Sequence, residues 1–203
     1  PIESIEIWSS GSSGKELAHF LCHLPRLSKL EVYSCRNVTQ FAVGVDLQQT
    51  TAPVASWSTS LDVRMDETNA EDEQQQIADV GEANTVDDDG LLLLPAHLSN
   101  SLHALDIDNR GLVVHSLNAL QALTTLELED CSFRHPFPSS LLDLKLSSMK
   151  GMLTLSNLTS LTRLRISSCG EDLRCEGLLP LFTRGQLSKL EVNESPNFFG
   201  GWD

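Results

Sequence analysis

The sequence predicts an α/β fold. It is a right-handed, curved solenoid, with a parallel sheet on the concave face and loops and short helices on the convex face. Three observations carry this expectation. One apolar motif recurs seven times along the chain. Each copy alternates in the way a strand with one buried face must. Most intervals between copies hold only a loop, a tight turn or a short helix.

The motif places an apolar residue first, another three positions later, and a third two positions after that. Ile2, Ile5 and Ile7 open the series, and Leu27, Leu30 and Val32 continue it in LSKLEVYSC. Leu102, Leu105 and Ile107 follow in LHALDI, then Leu123, Leu126 and Leu128 in LTTLELEDC. Leu141, Leu144 and Leu146, then Leu161, Leu164 and Ile166, and finally Leu187, Leu190 and Val192 complete it. Three units carry cysteine at the ninth place: Cys35, Cys131 and Cys169. This is the LxxLxLxx(N/C) pattern of a leucine-rich repeat. A single unit cannot bury its leucines, but stacked units share one continuous core. The three cysteines read as small core residues at the turn after each strand.

The starts of the units lie 25, 75, 21, 18, 20 and 26 residues apart. The two intervals of 25 and 26 leave room for a helix. Lys15 to Leu24 fits one, with Leu17, Phe20, Leu21 and Leu24 on a stripe and Pro25 behind it. Leu178 to Phe182 fits a shorter one before Gly185. His135-Pro136-Phe137-Pro138 reads as a loop, because neither proline can donate to a ladder. The chain therefore divides into N-terminal repeats (1–35), an irregular segment (36–100), and C-terminal repeats with a tail (101–203). Within the irregular segment, Leu61, Val63 and Met65 alternate like a strand, and 75 equals three units of 25, which suggests a degenerate repeat. Residues 66–90 read as a flexible acidic loop.

The formal net charge is −14, from 14 basic and 28 acidic residues. Residues 36–100 hold 12 acids against Arg36 and Arg64, so most of the surplus sits there. A surface of this sign disfavours nucleic acid and anionic lipid. The longest leucine run, Leu91 to Leu94, is far short of the roughly 20 residues a membrane span needs. Five cysteines without a CxxC pair, and no visible signal peptide, suggest reduced thiols in a cytoplasmic setting, with the nucleus also open. Pro1 reads as a cut inside a longer chain. The first unit starts at Ile2 with no polar cap, which predicts poor solubility in isolation.

No catalytic, cofactor or metal constellation emerges. Gly11-Ser-Ser-Gly14-Lys15 resembles a phosphate loop, but Ser9 and Glu16 stand where glycine and Ser/Thr are needed, and a flexible turn before the helix is expected. Asp87-Asp88-Asp89-Gly90 hints at a calcium loop but has Ala96 where an acid is required. His19 and His23 sit one helical turn apart without a third ligand. Asn37-Val-Thr39 and Asn157-Leu-Thr159 match glycosylation sequons, which arise often by chance.

The units LSKLEVYSC, LTTLELEDC and LTRLRISSC, the stretch LLLLPAHLSNSLHALDI, and the closing GEDLRCEGLLPLFTRGQLSKLEV with NESPNFF resemble plant intracellular immune receptors. The likeness is to the C-terminal leucine-rich region of the nucleotide-binding leucine-rich-repeat class, grass type. It covers roughly residues 1–35 and 91–199. It implies a non-enzymatic protein-recognition module. Such a module contacts a pathogen effector or a guarded host protein, or restrains the receptor's own nucleotide-binding module. The alternative is a substrate-recognition repeat domain of a ubiquitin-ligase adaptor. The expected partner is protein, with no nucleic acid, membrane or cofactor.

Residues between the buried anchors face the concave side, and the candidate partner-binding set lies there. Trp8 and Tyr33 form an aromatic patch. Asp106, Asp108, Glu127 and Glu129 make an acidic stretch; Lys145, Arg163, Arg165 and Lys189 make a basic one. The basic stretch is expected to meet an acidic protein surface, so reversing Arg163 and Arg165 to Glu should weaken that contact.

Overall fold

The computed structural model describes residues 1–44, 89–171 and 173–199. In chain order the elements are β1 (Ser4–Trp8), α1 (Gly14–Leu21), β2 (Lys29–Tyr33), β3 (Gln40–Val43), β4 (Leu91–Leu94) and a 3-10 turn (Ala96–Asn100). Then come β5 (Ala104–Asp108), β6 (Val113–Val114), β7 (Thr125–Glu129), β8 (Ser132–Phe133), β9 (Asp143–Ser147) and β10 (Gly151–Thr154). β11 (Arg163–Ser167), β12 (Leu173–Glu176), α2 (Leu178–Thr183) and β13 (Lys189–Asn193) follow. All described residues belong to one compact unit.

The seven motif copies form one parallel sheet in the order β1-β2-β5-β7-β9-β11-β13. The register is uniform: each second anchor faces the next second anchor, as Ile5 faces Leu30 and Leu30 faces Leu105. In the five interior strands both strand anchors are at most 1% exposed, from Leu30 and Val32 to Leu164 and Ile166. Each such leucine is worth about 1.5–3 kcal/mol of burial. In the two outer strands Ile5, Ile7, Leu190 and Val192 are only partly buried.

Where loops and short helices alone were expected, two further parallel sheets appear. One has the order β4-β3-β6-β8, the other pairs β10 with β12. Phe41, Val43, Leu92, Leu94, Val114 and Phe133 from the first, with Leu153 and Cys175 from the second, enter the same core as the leucines of the main sheet. β5 pairs directly with β2, so the 75-residue interval is a single step of the main sheet. Leu61, Val63 and Met65, and all of residues 66–90 except Asp89 and Gly90, lie outside the described residues.

The helices form where the periodicity predicts them. α1 starts in a capping box: Glu16 N–H donates to Ser13 Oγ at 3.2 Å, and Ser13 N–H donates to Glu16 Oε2 at 2.9 Å. Leu17, Leu21 and Leu24 are buried, whereas Phe20, expected on the same stripe, is exposed. Gly14 owes its identity to close packing. A Cβ there would lie 2.3 Å from the Leu91 carbonyl carbon, and its N–H already donates to Asp89 O at 2.8 Å. The GSSGK stretch is thus the seat of β4 beside α1, not only a turn.

Six strands of the main sheet end in a left-handed residue: Ser9, Ser34, Asp130, Ser148, Ser168 and Glu194. For Ser9, Ser34, Asp130, Ser148 and Ser168 the backbone N–H extends the ladder to the last strand residue of the next unit. The left-handed residue swings the chain so that the following one, such as Cys35, Cys131 or Cys169, points into the core. β5 is the exception. Asn109 follows it at the eighth place of the motif, with no left-handed residue between. It is buried, and its Nδ2 donates to Cys35 O at 3.1 Å and Val38 O at 2.9 Å.

Candidate functional site

The candidate residues gather on the open face of the main sheet, opposite the buried anchors. Strand alternation puts three side chains of each strand on this face, and the register aligns them into columns. The central column runs Glu6, Glu31, Asp106, Glu127, Lys145, Arg165, Glu191. Adjacent members sit one strand spacing apart, about 4.8 Å. The column on one side runs from Ser4 and Lys29 to Arg163 and Lys189, and the other from Trp8 and Tyr33 to Asn193.

The half built on β1, β2, β5 and β7 joins aromatics to acids. Trp8 is 63% exposed, and its ring stacks on Tyr33 with centroids 4.2 Å apart. Trp8 Nε1–H donates to Glu6 Oε2 at 3.1 Å. This bond, ahead of any other influence, holds the Glu6 carboxyl below its ordinary pKa. Tyr33 O–H donates to Asp106 Oδ2 at 2.6 Å across two strands separated by 73 residues of sequence. Burial pushes the Asp106 carboxyl up; the Tyr33 bond pulls it down, and the charges of Glu127 and Glu31 push it up again. Tyr33 itself is pushed above its ordinary range, first by burial and then by Asp106. Glu31, only 7% exposed, takes its charge partner from its own strand in Lys29. That carboxylate in turn raises the Lys29 ammonium pKa. Among the described residues Asp108 and Glu129 take no ion pair.

The other half is not an unpaired positive surface. Lys145 Nζ bonds Glu127 Oε2 at 2.9 Å, and Arg163 Nε meets Asp143 Oδ2 at 3.0 Å. Arg165 reaches Asp143 at 3.4 Å and Glu127 at 3.9 Å, and Lys189 meets Glu191 at 2.7 Å. Each of the four cations of the expected basic stretch is therefore matched by a carboxylate within the chain. Glu127 raises the Lys145 pKa, and Lys189 lowers that of Glu191. Asp143, missed as a participant, is the buried hub between two arginines. The signal was present, since it stands before an anchor beside Lys145 in LLDLKL.

The remaining chemistry-bearing residues fall elsewhere. Cys35, Cys131, Cys169 and Cys175 are buried free thiols, and Cys22 is exposed. Burial pushes Cys131 and Cys175 up to about 12. Asn37 Nδ2 donates to Gly11 O at 2.6 Å and Asn157 Nδ2 donates to Phe137 O, so both sequon side chains brace neighbouring turns. His19 and His23 meet edge to face at 5.2 Å. Among the described residues no group of three or more His, Cys, Asp or Glu is placed to hold a metal ion. Nor, among them, is any helix long and apolar enough to cross a membrane. The chain matches no family model, no curated protein and no solved structure.

Proposed function

We propose that this chain is a non-enzymatic protein-recognition module. In this reading it is a leucine-rich-repeat solenoid from the C-terminal part of an intracellular plant immune receptor, working in the cytoplasm or nucleus. The open face is the concave recognition surface. Its partner is a pathogen effector, a guarded host protein or the receptor's own nucleotide-binding module. A partner shifts such a receptor only through different affinities for its resting and active states.

One observation supports this above the others. Seven strands in a single register present a continuous face whose side chains differ from column to column and are not needed for the core. On that face, within β1 to β7, Lys29 is the one cation beside Glu6, Glu31, Asp106, Asp108 and Glu129, while Glu127 is met by Lys145 and Arg165 from β9 and β11. The contacting patch of the partner is therefore cationic, with an arginine or lysine over the Trp8–Tyr33 stack. The basic stretch, neutralised by its own carboxylates, sets register and orientation more than affinity.

Proximity labelling in plant cells tests the reading. The wild-type chain is compared with a variant carrying Trp8→Ala, Asp108→Lys and Glu129→Lys. The expected result is loss of a defined set of labelled proteins in the variant. Identical labelling by both chains, or a nucleotide or metal retained in stoichiometric amount by the purified chain, overturns it.

A further inference from the structure

The second layer of strands carries a break that the main sheet does not. β7 and β9 pair along the main sheet, and each is followed by a short strand, β8 and β10. Yet β8 ends the order β4-β3-β6-β8, and β10 pairs with β12 alone. Both units have neighbours on either side in the main sheet, so the break is interior to the stack. Local sequence accounts for it. β8 is only two residues long, and Pro136 and Pro138, which lack the N–H a ladder needs, follow closely. β10 opens at Gly151 in the left-handed region, φ +94°, where a Cβ would meet nothing within 4 Å.

Two adjoining depressions occupy the break. One, of about 410 Å³, is lined from β8 by Ser132 and Phe133 and from the β10 side by Lys150 and Met152, with Arg134 between. The other, of about 300 Å³, lies over β6 and β8 and shares Ser132 and Arg134 with the first. His115 and His135 also line it, their rings 6.3 Å apart, and His115 Nε2–H donates to Gln40 Oε1 at 3.0 Å. Among the described residues no carboxylate lines either depression. Arg134 and Lys150 are exposed and, among the described residues, enter no ion pair. On the open face, by contrast, each cation of the basic stretch has its carboxylate. Val113 at 43% and Met152 at 55% exposure add apolar surface to this cationic face. In a chain of net charge −14 such a face lacks its counter-charge.

We propose that the break is a docking groove for an extended acidic segment of a partner protein, one that alternates carboxylates with aliphatic side chains. Unpaired strand edges are templates for a further strand, and β8 and β10 each offer one. A segment lying along such an edge turns successive side chains to opposite faces. Its carboxylates point outward to Arg134 and Lys150, in charge-assisted bonds. Its aliphatic side chains point down into the depression, toward Phe133 and Met152. Two cations on an acidic chain are too few to hold nucleic acid or an anionic membrane, so a short peptide is the ligand they fit. The groove lies on the second layer and not on the open face. It takes a partner of the opposite sign, and stands or fails apart from the recognition proposed there.

Fluorescence anisotropy of the 203-residue chain with a short labelled peptide alternating glutamate and valine tests this. A peptide with glutamine in place of glutamate is the control. The wild-type chain should bind the glutamate peptide saturably, and raised salt should weaken it. The pair Arg134→Glu and Lys150→Glu should lower the affinity by about tenfold or more, and Arg134→Gln with Lys150→Gln by less. Trp8→Ala, on the open face, should bind as the wild type does. Equal urea midpoints for all variants separate lost contact from lost fold. No saturable binding by the wild type, equal affinity in the Glu pair, or equal affinity for the glutamine peptide each overturns the proposal. Binding that appears only once residues 66–87 are deleted would make this chain's own acidic segment the occupant, and a wild-type dimer abolished by the Glu pair would put a second copy there; either result overturns it too.

Discussion

Asn109→Ala isolates the one place where a side chain replaces backbone geometry in the stacking of the main sheet. Asn109 donates both hydrogens of its amide to carbonyls of the preceding unit, Cys35 O and Val38 O. It is 4% exposed, so water cannot substitute freely. Removing the amide leaves buried Val38 O without its donor, a loss that costs about 1–3 kcal/mol, and leaves Cys35 O with only the Val38 N–H at 3.0 Å. Counting the loss at Cys35 O only in part, because it keeps one donor, the variant should lose about 2–4 kcal/mol. With a urea slope of about 2 kcal/mol/M, the unfolding midpoint should fall by about 1–2 M. Urea unfolding followed by far-UV circular dichroism reads this directly. Asn109→Asp, which keeps the shape but cannot donate when ionised, should be at least as damaging. Asn118→Ala, at an exposed loop position, is the control and should stay within about 0.5 kcal/mol. If Asn109→Ala moves the midpoint no further than Asn118→Ala at equal slope, the two bonds do not brace the units.

Gly14→Ala should unseat β4 from α1, since the new methyl meets the Leu91 backbone, with a loss of about 1–3 kcal/mol in the same urea assay. A thiol reagent should modify one cysteine in the native chain, Cys22, and all five only after unfolding; early labelling of Cys131 or Cys175 would contradict their burial. Burial raises the Asp106 pKa in the folded chain, so the fold holds this proton more tightly than the unfolded chain does. Its contribution to stability therefore declines as pH rises from the ordinary carboxyl value, 3.8, through the raised one, and Asp106→Asn should flatten that part of the profile. Tyr33→Phe removes the bond that pulls this carboxyl down, so its NMR titration should move further up; a downward move would refute the assigned cause.

Periodicity made the main sheet legible. Anchors such as Leu126 and Leu128 announce a buried strand face by their spacing alone, and residues between them are assigned to the open face by default. The helices were equally readable from their apolar spacing, as with Leu17, Leu21 and Leu24, although the Ser13–Glu16 capping box that starts the first one was not read. What escaped was long-range or too short to have a period. Val113–Val114 and Ser132–Phe133 are two residues each, below the length at which alternation can be recognised, yet they seat β6 and β8 in the second sheet. The Tyr33–Asp106 bond depends on β2 neighbouring β5, which the 75-residue interval conceals. Asn109 was hidden because its unit is one residue shorter than those ending in cysteine. The sign change along the open face was visible in sequence. Its internal neutralisation was not, because Asp143 and Glu127 meet Lys145, Arg163 and Arg165 only once the strands are aligned.

The six left-handed residues after the strands have a consequence for how such a surface can change. Outside glycine and asparagine this conformation costs roughly 1–2 kcal/mol, so every step of the sheet except the one after β5 is held under a small standing strain. Substitution by a β-branched residue at Ser34 or Ser168 would add to that strain, while glycine would relieve it. The open-face positions one to three residues earlier bear no such backbone demand; Glu129 or the exposed Trp8 could change without moving the backbone, whereas Glu127 and Arg165 also hold ion pairs with Lys145 and Asp143. Constraint and freedom are thus separated within a few residues of each other. A lineage altering what this face touches can rewrite it side chain by side chain, with the turns holding every new residue at the same spacing as the one it replaced.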